Sequence, residues 1–195
     1  MYSAARWTLV CVALACVWLF IGAAGAAGPV QHAGVHSDEA LRAFDAAVAR
    51  YAALRARLEE PLPAFDDPRR DGWTRLLMRR YLASAIRTAR RDARQGGIFD
   101  PAAALFRGTI ARAVYDTDVE GLVDYLPGEG GFALDIVVNE PIPAWALLPV
   151  PAALLDRLPP LPAAIEYRFA GGALVLWDVH AEILIDALPD PFVAP

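Results

Sequence analysis

The chain has 195 residues, 56% of them hydrophobic, and a formal net charge of −5 from 18 basic and 23 acidic side chains. It is too apolar for a disordered tail and not basic enough overall for a general nucleic-acid binder. All 18 basic residues are Arg, which excludes a Schiff-base lysine, a lysine nucleophile and the lysine of a phosphate-binding loop.

Residues 1–26 read as a secretory signal. Arg6 is their one charge, Trp7 to Ala24 is apolar apart from Thr8 and Gly22, and Ala24-Gly25-Ala26 supplies small residues for cleavage. The expected location is periplasmic or secreted. Two other readings compete. An apolar run of about 18 residues is at the lower limit for a membrane span, so an uncleaved anchor is one. Lipidation at Cys16, which follows Ala13-Leu14-Ala15, is the other. Cys11 and Cys16 are the only cysteines, so cleavage leaves a cysteine-free mature chain without disulfides or thiolate chemistry. The roughly 165 remaining residues must be held by their core, and chains of ~150 residues bury roughly 70% of their unfolded surface.

Residues 27–36 read as a flexible leader containing His32 and His36. The expected single domain covers 37–195, with a helical part over 37–126 and a β part over 127–195. Ser37 reads as an N-cap, followed by Asp38 and Glu39 in the first turn. Leu41, Phe44, Val48, Tyr51, Leu54 and Leu58 then form one apolar stripe. Pro61 and Pro63 stop this helix.

A second helix is expected from near Trp73 to near Asp92, making a hairpin with the first. Its wheel places Leu77, Met78, Tyr81, Leu82, Ala85 and Ala89 on the core side. Arg94-Gln95-Gly96-Gly97 reads as its stop, with Gly as the left-handed C-cap, and Ile98 and Phe99 as core plugs. Asp100-Pro101 predicts the start of a third helix, N-cap then Pro, with Phe106, Ile110, Ala113 and Val114 inward. A further turn is expected over Val119 to Tyr125.

Beyond Gly128 the pattern becomes β. Strands are expected at Phe132–Asn139, Ile165–Phe169 and Ala173–His180, with Glu182–Leu188 as a fourth strand or a last helical turn. Residues 141–162 read as an irregular proline-rich connector, and Ala170-Gly171-Gly172 as a tight turn. The fold class is therefore α+β: helices first, then a small antiparallel sheet of three to four strands.

Few residues suit catalysis. Beyond the signal the only serines are Ser37 and Ser84, and His180 is the only histidine outside the leader. A Ser-His-Asp triad is not supported, and no phosphate-loop or dinucleotide fingerprint exists. Asp178-x-His180-x-Glu182 is the candidate metal site, because residues two apart on a strand share a face. Asp186 joins it if the chain stays extended. The alternative is a strand end whose polar groups are solvated or paired with Arg168. No cofactor is expected.

Arg75, Arg79, Arg80, Arg87, Arg90 and Arg94 form the other candidate, a basic face for anionic lipid, polyanionic glycan or an acidic partner. The alternative is a face partly neutralised by the acidic β part. Other membrane contact is expected only through an uncleaved N-terminal segment. No nucleic-acid partner is expected.

Ala93-Arg94-Gln95-Gly96-Gly97-Ile98-Phe99-Asp100-Pro101 resembles the ARQGDIFTP-type segment of an uncharacterised group of exported bacterial proteins. Leu158-Pro159-Pro160-Leu161-Pro162, Tyr167-Arg168-Phe169, Leu174-Val175-Leu176 and Asp178 resemble the same group. The chain departs from it at Gly97, where Asp is expected. This resemblance implies export and architecture only. Pro160 to Ile185 also resembles the C-terminal pattern of the periplasmic nickel/cobalt-homeostasis family, with Ala181-Glu182 replacing its Thr-Gly.

The leading expectation is an exported, non-enzymatic binding domain with an envelope partner or small ligand. A periplasmic metal-binding or metal-stress protein is the alternative. An enzyme using carboxylates is a third, but Asp135, Glu140 and Asp186 are too scattered in sequence to nominate.

Overall fold

The computed structural model describes residues 30–115 and 135–193. Helix α1 spans Val30–Glu59 and carries the expected stripe, with Phe44, Val48 and Tyr51 buried. It begins seven residues before Ser37, so residues 30–36 are helical rather than a loose leader, and Ser37 lies inside the helix instead of capping it. Extending an existing helix by a turn costs less than nucleating one, and the nearest proline, Pro29, stands ahead of the helical span. His32 and His36 therefore sit four apart on one helix.

Helix α2 spans Gly72–Ala89, capped by Asp71, whose Oδ1 accepts the Thr74 N–H at 2.7 Å. It ends at Ala89 with Arg90 as its C-cap, well before Gly96-Gly97, so neither glycine caps it. Gly96 instead turns the following loop, with φ of +84°, and a Cβ there would run into the Asp100 carboxylate. Ile98 and Phe99 then plug the core as expected. A 3-10 turn at Asp100–Ala102 leads into α3, Ala103–Tyr115. Asp100 is already in the first turn rather than at the N-cap, which is Phe99. The expected turn at Val119–Tyr125 lies outside the described residues.

The sheet is antiparallel with order β1-β2-β3-β4. These strands are Leu148–Pro149, Ile165–Ala170, Ala173–Asp178 and Ile183–Leu188. Gly171 and Gly172 both have positive φ, which gives the β2–β3 hairpin a two-residue turn that matches strand twist. The expected strand at Phe132–Asn139 is not formed over its described part, 135–139. The Asn139 N–H donates to the Leu184 carbonyl, and Pro141 makes an isolated bridge to Ile183 beside β4. Pro141 and Pro143 have no N–H to continue a ladder. The edge next to β2 is taken by β1, from the connector. That connector also holds α4, Ala152–Leu155.

Alternation sends Ile165, Tyr167, Phe169, Leu174 and Leu176 to the helical layer, where they meet Phe44, Leu82, Ile86, Phe99, Phe106 and Ile110. Phe44, Phe99 and Phe106 have ring centroids 4.9–5.8 Å apart. The opposite face carries Ala170, Ala173, Val175, Leu184 and Ala187 under Ile136, Ile142 and Leu147. The sheet is thus buried on both faces. Register shifts between Leu176 and Trp177, whose partners are Asp186 and Leu184. The extra residue, Ile185, lets both Ile185 and Asp186 face the helices. Among the described residues, no helix is long and apolar enough to cross a membrane.

Candidate functional site

Tyr51, Arg55 and Glu59 recur every four residues along α1, so they stack on one helix face. That face meets the end of β3. Asp178, with 0% of its surface exposed, accepts the Tyr51 hydroxyl at 2.7 Å and Arg55 Nε at 3.0 Å on Oδ2. Its Oδ1 accepts the N–H groups of His180 at 3.0 Å and Ala181 at 2.8 Å. Arg55 forks onto Glu59 at 2.6 and 3.2 Å. His180 Nδ1 lies 2.8 Å from Glu59 Oε1 and 2.5 Å from Arg55 NH2, and its ring stacks on Phe65 at 4.5 Å. Protonated, Nδ1 donates to Glu59; unprotonated, it accepts from Arg55. Burial and the Asp178 charge push the Tyr51 phenol far above its ordinary pKa, so it stays a neutral donor.

This cluster replaces the expected metal triad. The strand ends at Asp178, and the Glu182 N–H closes a turn onto the Asp178 carbonyl at 2.9 Å, with Glu182 at φ of 53°. The chain is no longer extended, so the two-residue rule fails. Asp178 and His180 join α1, whereas Glu182 pairs with Arg79 at 3.0 Å. Asp186 is turned to the loop after α2. Among the described residues, no group of three His, Cys, Asp or Glu side chains is arranged to hold an ion. Arg55 and Glu59 were missed by sequence reasoning. Their spacing from Tyr51 was the available signal.

Asp186 is a second buried acceptor. It takes the Gly96 N–H at 2.7 Å, Ile98 at 2.7 Å and Phe99 at 2.9 Å. Burial raises its pKa above the ordinary carboxylate value, and these N–H donors oppose that shift. Much of the ARQGGIFDP segment is thus a loop wrapped around one carboxylate. Gly97 needs no special backbone there, and a Cβ would meet only the Arg94 carbonyl at 3.1 Å.

The six-Arg face is divided. Arg79 pairs with Glu182, and Arg87 with Glu140 at 3.0 Å. Arg90 donates to Asn139 Oδ1 at 2.8 Å and to the Ile185 carbonyl at 3.0 Å, with its guanidinium 4.9 Å from the Tyr51 ring centroid. Desolvation lowers its pKa. Arg75 bonds the Arg70 carbonyl. Arg80 and Arg94 remain exposed. The helix buries Met78, Leu82, Ala83 and Ile86, roughly one residue step (~100°) around from the expected core side. Trp73, Leu77 and Tyr81 consequently face solvent, at 65%, 48% and 54% exposure. They occupy successive turns, with Arg80 beside them.

No family model matches the chain, and neither a curated protein nor a solved structure shows significant similarity to it.

Proposed function

We propose that this chain is an exported, non-enzymatic binding domain of the cell envelope whose docking face is the solvent side of α2. The observation that carries the reading is the Trp73-Leu77-Tyr81 stripe. Three large apolar side chains on successive turns are kept in water, although the same helix buries smaller ones. Aromatic anchors beside a guanidinium suit a partner that presents apolar and acidic groups. The buried polar groups support the same reading. Asp178 and Asp186 spend their acceptors on structural donors, which leaves neither carboxylate poised for acid–base work. Metal binding draws no such support, since Glu182 is committed to Arg79.

The test is a photo-crosslinking residue placed at Leu77 in cells. A discrete adduct is expected there, lost when Trp73→Ser and Tyr81→Ser are added, and absent with the probe at exposed Glu60. No adduct at Leu77, or equal adducts at both positions, defeats the docking face. Export is checked by the intact mass of protein isolated from the envelope. Loss of residues 1–26 is expected, and a full-length cytoplasmic chain contradicts it.

A further inference from the structure

A cleft of about 420 Å³ lies between α1 and the loop that follows α2. Its charged lining is Arg50, Arg90, Arg94 and Asp92. Arg50 and Arg94 are exposed and make no ion pair with the described residues. Asp92 pairs with Arg91 at 3.6 Å. Arg90 is half-buried, and its hydrogen bonds go to neutral acceptors, the Asn139 amide oxygen and the Ile185 carbonyl. Its guanidinium lies over the Tyr51 ring, which also lines the cleft, and the buried Asp186 carboxylate acts on it electrostatically without a hydrogen bond. Three guanidinium groups stand against one carboxylate. Beside them Leu54, Ile98 and the Tyr51 ring supply an apolar wall.

We infer that this cleft binds a small organic phosphate, with Arg50, Arg90 and Arg94 around the phosphoryl group and the organic part against Leu54 and Ile98. The lining carries two more positive than negative charges, which matches a phosphate monoester at about −1.5 to −2 near pH 7. A monocarboxylate would leave one cation uncompensated. Guanidinium forks suit phosphoryl oxygens, and the volume is within the usual range for small-ligand sites. These residues are distinct from the Trp73-Leu77-Tyr81 face, so the inference goes beyond the docking reading and fails or stands apart from it.

The test is calorimetry on the full chain at low salt with phenyl phosphate, inorganic phosphate and benzoate. Saturable binding of phenyl phosphate is expected, tighter than either other probe. The Arg50→Gln/Arg94→Gln double variant should weaken it at least ~tenfold. Both side chains are exposed, so an unchanged melting temperature confirms that the variant is folded. Arg57→Gln, on the exposed side of α1, should bind as the parent does. No saturable binding, or equal binding by the double variant, overturns the site. Benzoate binding as tightly as phenyl phosphate overturns the dianion preference. Binding to vesicles containing phosphatidic acid without binding of phenyl phosphate overturns the small-molecule ligand in favour of a lipid headgroup.

Discussion

Asp178 has four donors and no contact with water, so its carboxylate joins three pieces of chain. Two donors come from α1 and two from the turn after β3. Truncation leaves Arg55 buried without one of its partners and two N–H groups unpaired. Asp178→Ala is expected to lower the unfolding free energy by about 3–5 kcal/mol, read by urea denaturation. A loss below about 1 kcal/mol would show that the cluster does not hold α1 to the sheet. The residue scale is also where sequence reasoning went furthest astray. Asp178 and His180 are close, as expected, but through α1 rather than through a shared strand face. The distances along the chain, 123 residues from Arg55 to Asp178, leave no local signal of that meeting.

At the scale of elements, local capping and tertiary docking act on α2 separately. Asp71 caps the first turn through the Thr74 N–H and hydroxyl. Those bonds hold its carboxyl below the ordinary aspartate pKa. A depressed folded pKa means that the ionised cap stabilises the fold at neutral pH. That stabilisation fades as the pH falls past the ordinary value of about 3.9 and through the lower folded one. Asp71→Ala should therefore melt at a lower temperature than the parent at pH 7. The gap should close on acidification, and a gap that is constant with pH would contradict the charged cap. The start of α2 near Trp73 was legible because apolar periodicity is a local feature, whereas the Asp71 cap emerged only from the structure. The orientation of the helix was not legible. A wheel counts Arg as solvent-facing, but Arg stems can cover a core while their heads reach Glu182, Glu140 and Asn139.

Over the whole molecule, the net charge of −5 conceals a division. A basic α2 docks onto acids from the β part and its connector through Arg79–Glu182 and Arg87–Glu140. Partly exposed pairs of this kind contribute only about 0–1 kcal/mol each, so they orient the layers more than they hold them. The holding is done by one apolar cluster shared by α1, α2, α3, the connector and the sheet. The helical and β parts should therefore unfold together. Far-UV circular dichroism and tryptophan fluorescence are expected to report one coincident thermal transition. Phe106→Ala should shift both traces equally, at a cost of about 3–5 kcal/mol. Separated midpoints would mean that the two parts are independent domains.

The amino-acid sequence by itself determined the α+β class, the apolar stripe of α1, the glycine turn of the β2–β3 hairpin and the inward Ile98-Phe99 plug. Each rests on periodicity or on a backbone conformation that a residue type favours, and such properties act over a few residues. Only the tertiary structure decided which side of α2 is buried, which strand covers the edge beside β2, and where Asp178, His180, Glu182 and Asp186 point. Those outcomes depend on contacts between distant segments and on where an extended chain stops being extended. A two-residue spacing does not record where a strand ends: the turn at Val179–Glu182 left Asp178 and His180 on α1 and sent Glu182 to Arg79, while the extra residue Ile185 turned Asp186 to the loop after α2.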